Sequence, residues 1–332
     1  MSRMRAALRA ICASLLVACV PAVSSAQPAP APSWPQRVVR FIVPLGPGSG
    51  SDIGARLFAD RLSARWGKPV VIENRPGGDG IVAITAFVNA HDDHVLLYAP
   101  ASTFTAHPFL HDKLPYEQAD LLPVARVSNT LVAIVAPATL KVGSLADLVA
   151  LARAEPGKLN WATATGISDF LFAAFLKSAK LDMAKVPYRD TVHAMTDLAE
   201  GRIQFYWGAL AIVRPHVQSG KVKLVAISNN IRAPDEPKIP TVGEAGFPEL
   251  AFDGLVGLFG PRDMAEALRE RIAADIKTVA ADPMIAARLI TTGQVVSPGR
   301  PAEFAASIDA QRATVAAIAK DLGIKPGSVI EP

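Results

Sequence analysis

At 332 residues the chain is long enough for two domains and a sizeable core. A formal net charge of +4, with 19% charged and 6% aromatic residues, offers no basic stripe and little base-stacking surface, which excludes nucleic acid as a partner. Both cysteines, Cys12 and Cys19, fall near the N-terminus, so the rest of the chain has no disulfide, no thiolate nucleophile and no cysteine metal site.

Residues 1–26 read as a secretory signal. Arg3, Arg5 and Arg9 make a positive start, and residues 10–20 are an apolar core too short for a membrane span. Ser24, Ser25 and Ala26 place small residues before Gln27. A competing reading is Leu16-Val17-Ala18-Cys19, a lipoprotein-type site that would anchor the chain at Cys19. Cleavage after Ala26 is the preferred reading. It leaves 31 basic against 30 acidic residues, a formal +1, and no cysteine. Residues 27–35 are rich in Pro and Ala and read as a disordered lead-in. No later apolar run is long enough to cross a bilayer, so a soluble periplasmic protein is expected.

The stretch 41–56 organises the rest of the chain. Val38, Val39, Phe41, Ile42 and Val43 form an apolar run, as in a strand covered on both faces. Gly46, Gly48 and Gly50 permit a tight loop and a close approach. Ser51 or Asp52 is a good cap for the next helix. Free amides at the positive end of a helix make an anion site. No Lys or Arg occurs over residues 44–55, and neither the P-loop nor the dinucleotide glycine pattern is met. Amides and hydroxyls without a cation suit a carboxylate better than a triphosphate. The alternative is that the glycines only make a sharp turn. Ser49 is not at the third position of Gly-x-Ser-x-Gly, so a hydrolase elbow is not indicated.

Ile53, Leu57, Leu62 and Trp66 mark one helix face, and Gly67 ends it. A strand is expected at 70–72, a turn at 73–80, a helix at 81–89 and a strand at 95–98 running into Pro100, Ala101, Ser102 and Thr103. This alternation predicts a parallel sheet with helices on both faces, binding ligands at the carboxyl ends of its strands. His91, Asp92, Asp93 and His94 share a turn, where their side chains are expected to diverge. No second ligand cluster is expected, and hence no metal site.

Two apolar runs, 124–127 and 131–136, read as the chain leaving one lobe for another. A helix is expected over 144–154 and a strand over 160–163. The loop Thr163, Ala164, Thr165, Gly166, Ile167, Ser168 and Asp169 then repeats the logic of the first, ahead of a helix at 170–177. Strands are expected at 185–188, 203–207 and 224–227, with helices at 191–200 and 212–218. Residues 229–248 are a proline-rich return, 255–259 a strand rejoining the first lobe, and 264–280, 283–292 and 301–322 helices wrapping it. The lobes are thus 27–127 with 250–332, and 128–249. Two anion-friendly loops and two crossings describe a hinged cleft.

Several motifs together resemble the substrate-binding proteins of tripartite tricarboxylate transporters, the Bug-type receptors. They are Trp34-Pro35 with Arg40-Phe41-Ile42-Val43-Pro44, Gly48 with Asp52, Val71-Ile72-Glu73-Asn74-Arg75-Pro76-Gly77, and Leu122-Pro123-Val124-Ala125. Pro156-Gly157-Lys158-Leu159-Asn160, Val186-Pro187-Tyr188-Arg189, Asp197-Leu198 with Gly201, and Pro240-Thr241-Val242 with Glu244-Ala245-Gly246 complete the set. The resemblance covers nearly all of the exported chain. It implies a type II periplasmic binding-protein fold, an α/β architecture of two doubly wound lobes around a ligand cleft. It also implies a small organic acid ligand, delivery to the membrane subunits of a tripartite transporter or to a sensor, no cofactor, and a monomer. The ligand contacts it implies are Gly48, Ser49, Gly50, Ser51, Asp52, Ser102, Thr163, Thr165, Gly166, Ser168, Arg189, Asp190 and Trp207. This chain departs from the family pattern at Ser49, at Phe170 where a histidine is common, at Asp190 where glycine is usual, and in a second loop about one residue shorter. Arg56, a full turn into the first helix, is expected to reach solvent rather than hold the ligand. The alternative, a secreted enzyme using the same cleft, finds little support: His91, His94, His107, His111, His193 and His216 show neither triad nor metal spacing.

Mass spectrometry of the exported protein is expected to find Gln27 at the N-terminus; a lipid-modified Cys19 would replace that outcome with a tethered receptor.

Overall fold

The computed structural model describes residues 34–163, 166–188 and 191–324. Ahead of Arg37 this includes only Trp34, Pro35 and Gln36, with a cis peptide bond between Trp34 and Pro35. The signal segment, Cys19 and Gln27 lie outside the described residues, as do Thr165, Arg189 and Asp190.

In chain order the elements are β1 (Val39–Val43), α1 (Gly50–Trp66), β2 (Val70–Asn74), α2 (Ile81–Val88), β3 (Val95–Pro100), α3 (Ser102–Thr105), α4 (His107–Leu110) and β4 (Leu122–Thr130). Next come β5 (Val132–Pro137), α5 (Leu145–Ala154), β6 (Leu159–Thr163), α6 (Ile167–Ala179), β7 (Met183–Lys185), α7 (Thr191–Ala199), β8 (Phe205–Ala209), α8 (Leu210–Gln218) and β9 (Val222–Ile227). The return supplies β10 (Gly254–Gly260), α9 (Glu266–Ala280), α10 (Pro283–Thr291), β11 (Gln294–Gly299) and α11 (Pro301–Leu322).

Among the described residues the strands form two sheets, ordered β11-β4-β10-β3-β1-β2 and β7-β6-β8-β5-β9. The apolar run of β1 makes it an interior strand, parallel to β2 and β3, and only Arg40 in it reaches solvent. The sheets are mixed rather than wholly parallel: β10 runs antiparallel to β3 and β4, and β5 antiparallel to β8 and β9. β11 is an addition to the expected elements. Gln-Val-Val-Ser-Pro-Gly holds only two apolar residues and a proline, a composition that an edge strand tolerates. The strand expected at 185–188 is instead the shorter β7. The segment after Ser102 forms the two helical turns α3 and α4.

Each sheet is buried by helices carrying its own aromatic core. In the first lobe, Phe104 meets Phe259 edge-on at 5.0 Å and Phe304 lies 5.2 Å beyond. Gly257 makes room for this packing. A Cβ there would lie 2.4 Å from the Phe304 ring and 2.5 Å from the Ala125 carbonyl. In the second lobe Phe172 stacks on Phe205 at 4.0 Å and meets Trp161 edge-on at 4.8 Å. α11 serves both: Phe304 and Ile308 fill the first core, Val315 and Ala319 the second.

The chain crosses between sheets at Leu131 and returns through Ser228 to Asp253. The first crossing expected at 127/128 falls inside β4, which pairs with β10 and β11 as far as Thr130. Buried Asn229 ties the two crossings together. Its Oδ1 accepts from Val132 N at 2.8 Å, and its Nδ2 donates to Thr130 O at 2.9 Å and to Asp253 Oδ1 at 3.2 Å. Ser228 N donates to Val132 O, and Phe252 N to Ser228 O, both at 2.8 Å.

Asn229→Ala would leave the Val132 amide and the Thr130 carbonyl buried without these partners. Stability should fall by about 2 kcal/mol in denaturant titration. Asn230→Ala, at the exposed neighbour, should stay within about 0.5 kcal/mol of the parent.

Candidate anion-binding site

The first loop is built around one carboxylate. Leaving β1, the chain turns through Gly48 at φ +84°, a conformation open to glycine. The helix cap is Ser49, two residues ahead of Ser51, the earlier of the expected caps: its hydroxyl accepts from Asp52 N at 3.2 Å. Asp52 is buried, and its carboxylate faces inward. It accepts from Gly48 N at 2.9 Å, from Arg56 Nε at 3.0 Å and from Asn74 Nδ2 at 2.9 Å. Burial alone would raise the Asp52 carboxyl, but the bonds from Arg56, Gly48 and Asn74 outweigh it and hold the group below the ordinary carboxylate range. Arg56 is half exposed yet folds back onto Asp52 and Asn74, instead of extending into solvent.

This arrangement sorts the donors. The Gly48 amide is taken by Asp52, the Ser49 amide by Gly46 O at 3.2 Å, and the Asp52 amide by Ser49. Gly50 and Ser51, the first two residues of α1, keep amides with no partner among the described residues. They are what the helix start offers an anion. Gly50 contributes space rather than an unusual φ. A Cβ there would lie 3.2 Å from Gln294 Nε2, which donates to Gly50 O at 2.6 Å. Ser128 of β4 donates in turn to Gln294 Oε1 at 2.8 Å, so the loop is fastened to a strand at the crossing.

The second loop repeats the design. Gly166, at φ +96°, precedes α6, whose second and third residues are Ser168 and Asp169, as Ser51 and Asp52 are in α1. Thr163 donates its hydroxyl to Asp169, and Lys185 Nζ stands 3.2 Å from Asp169 Oδ2 and 5.7 Å above the Trp161 ring. Burial pushes the Asp169 carboxyl up, against the pull of Lys185 and Thr163. The Asp169 amide is taken by Gly166 O at 3.1 Å, whereas that of Ile167 has no partner among the described residues.

Ser102 opens α3 at the end of β3, at the same sheet edge as the first loop, since β1 and β3 are parallel. It also meets the second lobe: a Cβ on Gly166 would lie 3.8 Å from Ser102 O. Phe109 of α4 packs on Phe170 with ring centres 6.1 Å apart. Trp207 pairs with Thr163 across β8 and β6 but is fully enclosed in the second core, its Nε1 without a hydrogen-bond partner. Arg56, Asn74, Gln294 and Lys185 complete the loops and carry no local sequence signal of that role.

Two groupings correct the reading of the histidines. Asp92, Asp93 and His94 converge rather than diverge, with His94 Nδ1 2.6 Å from Asp93 Oδ1 and Arg37 donating to Asp92 at 2.7 Å. A second cluster exists as well, of Asp79, His107 and His111. No helix of the described residues is long and apolar enough to cross a membrane.

Residues 54–324 match the family model of the tripartite tricarboxylate transporter family receptor. A UPF0065 protein of Bordetella bronchiseptica is 30% identical over 315 residues, 94% of either chain. A solved structure from R. palustris with adipate has a TM-score of 0.76 at 25% identity, covering 89% of this chain and all of that one (100%). MatC from Rhodopseudomonas palustris with bound malate has a TM-score of 0.68 at 27% identity, covering 85% of this chain and 100% of its own. The fold is thus the two-lobed α/β fold of periplasmic binding proteins.

Because Asp52 is held as the anion, its contribution to stability is present above the unfolded carboxylate value of about 3.9 and is lost as pH falls through its lower folded value. Asp52→Asn should cost about 2 kcal/mol near neutral pH, and the gap to the parent should close below about pH 3.9, as read by denaturant titration across pH.

Proposed function

The chain belongs to the tripartite tricarboxylate transporter receptor family, and from that membership we propose that it is a periplasmic receptor holding one small organic carboxylate between its two loops. The observation that carries this reading is the pair of matched helix starts. Each leaves first-turn amide donors without a partner among the described residues, Gly50 and Ser51 in one and Ile167 in the other, and each has its own buried aspartate already matched by a cation. The relatives with adipate and malate support the ligand class. A periplasmic location goes with the family. Export by residues 1–26, maturation at Gln27, a monomeric state and delivery to the membrane subunits of a tripartite transporter complete the proposal. A receptor without catalysis is the reading these relatives favour.

Recognition rests on amides and hydroxyls: Gly50 and Ser51 in the first loop, Ser102 at the sheet edge, Gly166, Ser168 and the neighbouring Thr165 in the second. Gly48, Ser49, Asp52 and Thr163 act one step removed, by fixing the loops. Trp207 backs Thr163, and Arg189 and Asp190 are assigned to the distal end of the ligand. The two lobes, divided at Leu131 and again between Ser228 and Asp253, close about the crossings stapled by Asn229.

Arg56 has a definite part in this scheme. Without it, Asp52 would place an unmatched negative charge beside Gly50 and Ser51. Calorimetry with adipate, malate and their methyl esters provides the test. Hydrogen bonds to a charged group are worth roughly 1.5–3 kcal/mol each, so losing two by esterification should weaken binding at least about a hundredfold. Arg56→Ala should weaken acid binding by about tenfold or more, and Arg56→Lys should recover part of it. Ester binding equal to acid binding would sink the proposal.

A further inference from the structure

We propose that Asp79, His107 and His111 form a binding site for a divalent ion of the zinc class, separate from the anion loops. Residues 77–80, Gly-Gly-Asp-Gly, all have left-handed φ, at +121°, +54°, +54° and +88°. Asp79 is the one among them with a side chain, and it adopts a conformation costly for most non-glycine residues. The turn brings the Asp79 carboxylate to two histidines spaced four apart, His107 at the start of α4 and His111 just after it. His107 Nε2 lies 3.5 Å and His111 Nε2 3.8 Å from Asp79 Oδ2, and one ligand atom from each of the three residues falls within 4.8 Å of the others.

Those separations are too long for good hydrogen bonds. They fit a shared ion: bonds of about 2.0–2.2 Å in tetrahedral geometry put neighbouring donors about 3.4 Å apart. His111 Nε2 is enclosed and has no hydrogen-bond partner, although the rest of its side chain is partly exposed. Two imidazoles and one carboxylate select zinc-class ions over magnesium or calcium, which prefer all-oxygen sites. Three protein ligands leave a fourth position to water.

His107 is also placed as a metal ligand should be. It is fully buried, and its Nδ1 lies 2.6 Å from the Tyr116 hydroxyl. Without an ion, Nε2–H donates to Asp79 O at 3.0 Å and Tyr116 donates to Nδ1. With an ion, the proton moves to Nδ1 and is donated to Tyr116, and Nε2 is freed to ligate.

An ion here would fasten the start of α2 to α3 and α4. Gly80 already presses on Thr103, where a Cβ would come within 2.3 Å of Thr103 Cγ2. The segment so fixed carries Ser102 to the second loop and Phe109 to Phe170. The site would therefore set the shape of the cleft rim without touching the ligand.

The test uses untagged exported protein stripped with chelator, then titrated with zinc by calorimetry and followed by thermal unfolding. One zinc per chain should bind, with a rise in melting temperature that magnesium does not produce. His111→Ala should weaken zinc binding by more than about tenfold, and Tyr116→Phe by about tenfold. Asp79→Asn should act as His111→Ala does. His94→Ala, in the other acidic turn, should leave binding unchanged. Unaltered affinity in His111→Ala and Asp79→Asn, loss in His94→Ala instead, or no saturable zinc binding would each overturn the proposal.

Discussion

A helix start can hold an anion only if it does not already carry an unmatched one. Both loops of this protein place an aspartate at the third position of the helix, beside the amides that would do the holding. A bare carboxylate about 5 Å from a second one costs roughly 3 kcal/mol at an effective dielectric near 20. Each aspartate is therefore given a cation, Arg56 in one lobe and Lys185 in the other. The aspartates then become braces: their negative charge is spent internally, and the loops are shaped around them.

The two solutions differ in a way that shows in the carboxylates themselves. Asp52 draws its cation from one turn further along its own helix and adds two neutral donors, Gly48 and Asn74. Its acid form is disfavoured despite burial. Asp169 borrows Lys185 from β7 and has Thr163 besides, and there burial prevails. The first loop carries its cation on its own helix. The second depends on an adjacent strand, so its geometry is tied to the packing of the lobe.

Local pattern made much of this fold legible. The apolar run of β1, the stop at Gly67 and the paired hydroxyl-rich loops are all short-range features. The features that escaped reading depend on distant partners. Asn74 meets Asp52 from 22 residues away, and Gln294 meets Gly50 from 244 away, so neither can be found by periodicity or spacing. β11 lacks the apolar alternation of a strand and exists because β4 presents an edge to it. Asp79 and His107 are 28 residues apart and meet through a turn whose glycines were legible but whose direction was not. Trp207 sits next to Thr163 in register, and its enclosure in the core could not be inferred from that position.

The long helix α11 ties the fate of each half to the other. Phe304 and Ile308 near its start complete one core, while Val315 and Ala319 near its end complete the other. Neither core is whole without this one segment, so loss of packing in one half strips side chains from its neighbour, and the two halves share one cooperative transition instead of melting separately.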